Sequence, residues 1–78
     1  MSRKVDSLRN WIHQLHDGTV TVRDDTDLIE SGLVSSLQFV SMVIEIERLH
    51  GERLQPHTIQ VDSMRSLQAI DRSVFQGS

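Results

Sequence analysis

Histidine is the first side chain in this sequence that could carry chemistry, and there are four: His13, His16, His50 and His57. His13 and His16 are three residues apart, so on a helix they would face the same side and could share a metal ion. No cysteine is present, and no carboxylate cluster completes a set of ligands. Asp17 stands only at the predicted end of that helix. We therefore interpret the histidines as surface residues and keep a metal site as the weaker alternative.

Serine is the second candidate for chemistry. The Gly-x-Ser-x-Gly turn of many hydrolases is absent, and the sequence places no base beside any one serine. The glycine-rich loops that bind nucleotide phosphates are also missing. A chain without cysteine has neither a thiolate nucleophile nor a disulfide. These observations predict a protein that is not itself an enzyme.

Residues 27–37 combine a turn with a helix start. Gly32 favours a turn, Ser35 and Ser36 follow it, and Leu37 begins an apolar periodic stretch. A serine at a helix start is exposed, and the helix amides there favour an anion such as a phosphodiester. Simple capping of the helix by either serine explains the same residues without a ligand. From these residues alone, capping is the better explanation.

Two long helices are predicted around this segment. The first covers about residues 2–16 and ends at Gly18, a natural residue for the position after a helix. Its apolar stripe consists of Val5, Leu8, Ile12 and Leu15, with Trp11 beside it. The second helix covers about residues 36–50 and stops at Gly51.

The rest of the chain predicts a long connection and two further helices. Residues 19–35 form the connection, and the alternation in residues 19–22 is only a weak strand signal. Pro56 can open a short helix of one to two turns. A last helix covers about residues 66–75, with Ser66 as its N-cap. The predicted fold class is therefore all-α: a small four-helix bundle, three main helices plus a short third helix, with a long first loop.

The second helix is more apolar than one buried stripe requires. The residues expected on one side are Leu37, Val40, Val43, Ile44 and Glu47, and Phe39, Met42 and Ile46 are apolar as well. Either the helix lies at the centre of the bundle, or part of its surface is left for a partner. A central position is the interpretation we prefer from the sequence.

Length and charge restrict the classes of function. Seventy-eight residues make one domain with a small core, and the net charge is −3. Residues 17–47 alone carry seven acids and one arginine, which argues against nucleic-acid binding and favours either a basic partner surface or a solvated loop. No apolar run is long enough for a membrane span, and no signal peptide is recognised, so we expect a cytoplasmic protein.

The segment and its surroundings resemble the acyl carrier protein and peptidyl carrier protein family. That family has a Leu-x-x-x-Gly-(Leu/Ile/Val)-x-Asp-Ser-(Leu/Met) pattern at its second helix, and the matching residues here are Leu28, Gly32, Leu33, Ser36 and Leu37. The similarity continues through the second helix to Gly51 and resumes in residues 64–70, which resemble the opening of the family's last helix. It covers about residues 5–74.

The resemblance implies that Ser36 is the attachment point of 4′-phosphopantetheine, with Ser35 the less favoured choice. A phosphopantetheinyl transferase would attach it, and the arm's thiol would hold an acyl or aminoacyl group as a thioester. The implied partners are that transferase, a loading enzyme, and a downstream synthase, transferase or tailoring enzyme. The implied protein is a free-standing, monomeric carrier in a specialised biosynthetic pathway, such as a polyketide or nonribosomal peptide route, with no nucleic-acid or membrane partner.

Three positions depart from the family pattern. Ser35 replaces the Asp before the modified serine, Ser41 replaces a frequent Glu, and Arg48 replaces a frequent acid. We therefore expect partner recognition to depend mainly on apolar side chains, with two acids contributing; the residues are Leu37, Val40, Ile44, Glu45 and Glu47. The replacement of Asp by Ser35 also keeps open an alternative, an unmodified carrier-like module that only binds proteins.

Overall fold

The computed structural model describes residues 3–76, and Ser2, predicted to begin the first helix, lies outside them. Helix α1 is Arg3–Leu15 and helix α2 is Ser36–His50. A single 3₁₀ turn follows at Pro56–Thr58. Helix α3 is Val61–Met64, and helix α4 is Leu67–Ile70.

Helix α4 continues without a break into a π-helical turn, Asp71–Phe75, so together they occupy the predicted last helix. Ser66 caps α4 as expected, because its hydroxyl accepts a hydrogen bond of 3.1 Å from the Ala69 amide. No strand occurs between residues 3 and 76, so the alternation in residues 19–22 was a false signal. The all-α prediction, with a short third helix and a long first connection, is confirmed. None of the helices in residues 3–76 has the length and apolar character needed to cross a membrane.

The end of α1 differs by one residue from the sequence-based expectation. Asp17, rather than Gly18, is the first left-handed residue, with a φ of 54°. The Gly18 amide donates to the His13 carbonyl at 2.7 Å and the Asp17 amide to the Gln14 carbonyl at 3.3 Å. This pair of bonds is the Schellman arrangement, in which two residues after the helix satisfy its last carbonyls. Aspartate tolerates this conformation better than most side chains, which is why the motif can begin one residue early.

The core combines the inner faces of all four helices with three residues of the first connection. Val5, Leu8 and Ile12 of α1 are buried, as the stripe predicted, whereas Leu15 and Trp11 are only half-buried. The remaining buried apolar residues are Val22, Leu28, Val34, Met42, Val43, Ile46, Met64, Leu67, Ile70 and Val74. Val22, Leu28 and Val34 come from the connection, so this segment is part of the packed structure and not a free loop.

Substitution of two leucines can test whether the first connection is packed into the core. Leu28 is 0 % exposed although it belongs to no helix, whereas Leu37 in α2 is 85 % exposed. Leu28→Ala should lower the free energy of unfolding by about 3 kcal/mol, because it leaves a cavity in the core. Leu37→Ala, the matched control, should change it by less than about 0.5 kcal/mol. Urea denaturation followed by circular dichroism measures both, and equal effects would contradict the packing of the connection.

Candidate functional site

Ser35 is the N-cap of α2, and its hydroxyl accepts a hydrogen bond from the first turn of the helix. The Ser35 hydroxyl oxygen accepts from the Gln38 amide at 3.2 Å, and the Ser35 amide donates to the Gln38 side-chain oxygen at 2.9 Å. The two bonds form a reciprocal capping box. The sequence left open which serine caps the helix, and the structure assigns the cap to Ser35.

Ser36 is the first residue of α2 and is exposed. Its hydroxyl forms no hydrogen bond within residues 3–76, and the backbone amides of Ser36 and Leu37 likewise have no acceptor in that range. Unpaired amides at a helix start carry partial positive charge and stabilise an anion placed beside them. The arrangement therefore joins an available hydroxyl to a backbone environment suited to a phosphodiester.

A network of backbone bonds holds the segment that precedes Ser36. The carboxylate of Asp27 accepts from the amides of Ile29 and Glu30 at 3.1 and 2.8 Å, which closes a tight turn. The Leu28 amide donates to the Arg65 carbonyl at 2.6 Å, and the Val34 amide donates to the Leu28 carbonyl at 2.8 Å. The start of α2 is thereby tied to the junction between α3 and α4.

A small apolar cavity of about 170 Å³ lies beside the two serines. Its other lining residues are Ile29, Phe39 and Val61. Val61 is partly exposed, while Ile29 and Phe39 are half-buried. The surface next to Ser36 is therefore largely apolar and not ringed by charges.

Helix α2 presents two apolar faces. Met42, Val43 and Ile46 are buried, as the inner face requires. The outer face carries an apolar strip, which we define as Leu37, Val40 and Ile44, with exposed fractions of 85, 59 and 62 %. The central position that the sequence favoured is wrong for these three residues, and Val43 does not share their side. The apolar side chains that the inner face does not need therefore lie exposed on the protein surface.

Glu45 and Glu47 both have intramolecular partners. Glu45 accepts two hydrogen bonds from Arg48, the first from Nε at 3.0 Å, and these bonds and the charge of Glu45 raise the pKa of Arg48. The carboxylate of Glu47 accepts from the Leu54 amide at 2.8 Å. The roles of both acids in partner recognition stay predictions, but neither carboxylate is without a partner inside the chain. The sequence signals only the first of these pairs, through the (i, i+3) spacing of Glu45 and Arg48.

Other acids of the central segment are also paired. Arg9 bonds to both Asp6 and Asp24, and Arg65 lies 3.6 Å from Asp27. Arg9 and Arg65 both lie outside the acidic segment in the sequence, so the fold brings positive charge to it. The negative field around Ser36 is consequently weaker than a count along the chain suggests.

The histidines are less exposed than expected. His57 is exposed, whereas His13, His16 and His50 are half-buried, so three of the four rings lie only partly at the surface. Within residues 3–76, no three metal-binding side chains come together, and His13 Nε2 is a buried atom without a hydrogen-bond partner. His16 Nε2 lies 2.7 Å from the Leu33 carbonyl oxygen. The pair that spacing suggested as ligands therefore has separate environments.

The two adjacent serines should differ in their effect on stability. Ser35→Ala removes the cap and should lower the free energy of unfolding by about 1 kcal/mol. Ser35→Asp supplies another side chain that can cap and should cost little. Ser36→Ala removes a hydroxyl without partners, so it should change stability by less than about 0.5 kcal/mol. Thermal and urea denaturation compare the three, and a larger loss for Ser36→Ala than for Ser35→Ala would contradict the assignment of the cap.

In comparisons with known proteins, no family model, no curated protein and no solved structure matches this chain.

Proposed function

We propose that the protein is a carrier that holds an acyl or aminoacyl group as a thioester on 4′-phosphopantetheine attached to Ser36. The proposal rests on the resemblance of residues 28–37 and 64–70 to carrier proteins and on the geometry of the helix start. The protein itself would catalyse no reaction. It would act in the cytoplasm as a monomer, within a specialised biosynthetic pathway.

The observation that carries the proposal is that the two adjacent serine hydroxyls differ: one caps α2 and the other has no hydrogen-bond partner in residues 3–76. Ser35 uses its hydroxyl to begin α2, whereas Ser36, one residue later, is exposed and has a hydroxyl with no partner in residues 3–76. An enzyme could approach Ser36 without breaking the cap. Modification of Ser35 would instead remove an acceptor that the Gln38 amide requires.

The chemistry fits an exposed serine. The Ser36 hydroxyl oxygen attacks the phosphorus of coenzyme A that bears the pantetheine arm, and the phosphoanhydride bond to the adenosine moiety breaks. The serine proton is lost, adenosine 3′,5′-bisphosphate leaves, and a phosphodiester remains on Ser36. The unpaired amides at the start of α2 would stabilise its negative charge. The transferase supplies the catalytic groups.

Ser35 in place of the family's Asp is compatible with this scheme. Both side chains accept a hydrogen bond from the third helical amide, so serine preserves the helix start. What serine lacks is the negative charge that, by resemblance, helps the transferase to recognise the site. We therefore expect Ser35→Asp to be modified at least as fast as the natural sequence.

The apolar strip Leu37–Val40–Ile44 begins next to Ser36 and supports the partner side of the proposal. Three exposed apolar side chains in a row on one helix are unusual for a surface with no partner. We propose that the loading enzyme and the downstream enzyme both dock there. Because Glu45 is paired with Arg48, apolar contact should contribute more than charge.

Modification of Ser36 can be tested by intact mass. Incubation with a broad-specificity phosphopantetheinyl transferase and coenzyme A should add one phosphopantetheinyl group to the natural protein and to Ser35→Asp. Ser36→Ala should gain nothing. Ser35→Asp is the matched control, since it removes the neighbouring hydroxyl but retains the cap.

Two results would overturn this assignment. Loading of Ser36→Ala, together with none of Ser35→Asp, would place the group on Ser35. A natural protein that stays unmodified although a known carrier is loaded in the same mixture would favour the alternative, a module that binds proteins without the cofactor.

Docking through the apolar strip can be tested with Ile44→Asp. The side chain is 62 % exposed, so the variant should keep the helical circular dichroism spectrum but transfer cargo from the loading enzyme at least about tenfold more slowly. Ser41→Asp places the same charge on an exposed position of α2 and controls for charge, while Ile44→Ser controls for the loss of apolar contact. Unfolding of Ile44→Asp, or an equal defect in Ser41→Asp, would contradict the apolar docking surface.

A further inference from the structure

His16 connects the end of α1 to the segment that leads into Ser36. Its ring is half-buried, and Nε2 lies 2.7 Å from the carbonyl oxygen of Leu33. The two residues are 17 positions apart, so the contact is tertiary. Leu33 precedes the cap residue Ser35 by only two positions. The hydrogen bond therefore acts at the last part of the connection before the proposed modification site.

The direction of this hydrogen bond follows from its acceptor. A carbonyl oxygen can only accept, so His16 Nε2 must carry the proton and donate it. Both the neutral ring protonated at Nε2 and the doubly protonated ring can do this. The contact consequently requires one tautomer of the neutral ring, and it does not require a charged ring.

His16 is itself held firmly. The Schellman bonds at Asp17 and Gly18 fix the chain immediately after it. The His16 carbonyl accepts from both the amide and the hydroxyl of Thr19, at 3.0 and 2.7 Å. A ring fixed on this end of α1 can define the position of the Leu33 carbonyl.

Val34 also anchors the 33–35 segment. Val34 is buried, and its amide donates to the Leu28 carbonyl. Loss of the His16 contact would remove the hydrogen bond between this segment and the end of α1, while the Val34–Leu28 bond and the Ser35–Gln38 bonds would remain. The start of α2 would then open locally more often, while the core packing of α2 through its inner face would remain.

We infer that His16 is a positioning residue, which holds the 33–35 segment so that the Ser36 hydroxyl is presented in one orientation. Its effect on modification rests on the proposed function, whereas its effect on the backbone does not. The expected role is to increase the rate at which a transferase uses Ser36, through geometry alone.

The natural protein provides the first test. Nitrogen-15 NMR of the His16 ring at a pH where it is neutral should show the proton on Nε2 and none on Nδ1. His13, whose Nε2 has no hydrogen-bond partner in residues 3–76, serves as the internal comparison. A neutral His16 ring that carries its proton on Nδ1 would overturn the inference without any variant being made.

The second test uses three variants: His16→Leu, His16→Gln and His13→Leu. His16→Leu should accelerate amide hydrogen exchange at Val34 and Gln38 about five- to tenfold, because one hydrogen bond is lost. The Ile70 amide, which donates to the carbonyl of Ser66 at the start of α4, should change much less. His16→Gln restores a side-chain N–H donor and should return exchange close to the natural rate, and His13→Leu should leave these amides unchanged.

The transferase reaction gives the functional comparison. His16→Leu should lower kcat/KM for phosphopantetheine transfer about fivefold or more, and His16→Gln should recover most of it. Equal acceleration of exchange at Val34 and Ile70 would overturn the inference, since it indicates general destabilisation. Failure of His16→Gln to differ from His16→Leu would also overturn it. If the natural protein is never modified, the proposed function fails, and the exchange and tautomer results still decide the role of His16.

Discussion

The capping box at the start of α2 is the interaction on which the arrangement of the site depends. Two adjacent serines compete for the same position, and the hydroxyl oxygen of only one of them can accept the hydrogen bond from the third helical amide. Ser35 does so, and Gln38 returns the bond to the Ser35 backbone. Ser36 is thereby placed in the first turn of α2. Within residues 3–76, its hydroxyl forms no hydrogen bond and its amide has no acceptor. A single local hydrogen-bond pattern thus separates a structural serine from an available one.

The first connection keeps that helix start in place. Its length would suggest a mobile loop, but Val22, Leu28 and Val34 are buried in the core. Backbone bonds fasten it to the α3–α4 junction, and the His16 ring fastens it to the end of α1. In a domain of 78 residues, a connection that contributes apolar side chains also enlarges a core that is otherwise small. The same contacts that stabilise the fold therefore limit the motion of the proposed site.

Local signals in the sequence were sufficient for the helices but not for what surrounds them. The bounds of α2 were predicted from the serines before Leu37 and from Gly51, whose φ of 86° ends the helix. The division of the α2 surface could not be predicted, because periodicity shows that side chains are apolar but not which of them a neighbour covers. The partners of Glu47 and His16 are backbone groups of other segments, which leave no pattern in the sequence. The left-handed Asp17 was missed because glycine was the stronger signal one residue later.

We propose that Ser36, and not Ser35, carries a phosphodiester-linked thiol arm. Fragmentation mass spectrometry of the natural protein, after treatment with a phosphopantetheinyl transferase and coenzyme A, tests it most directly. Fragments cleaved between the two serines should place the added mass on the Ser36 side. Added mass on the Ser35 side, or none under conditions that load a known carrier, would contradict it.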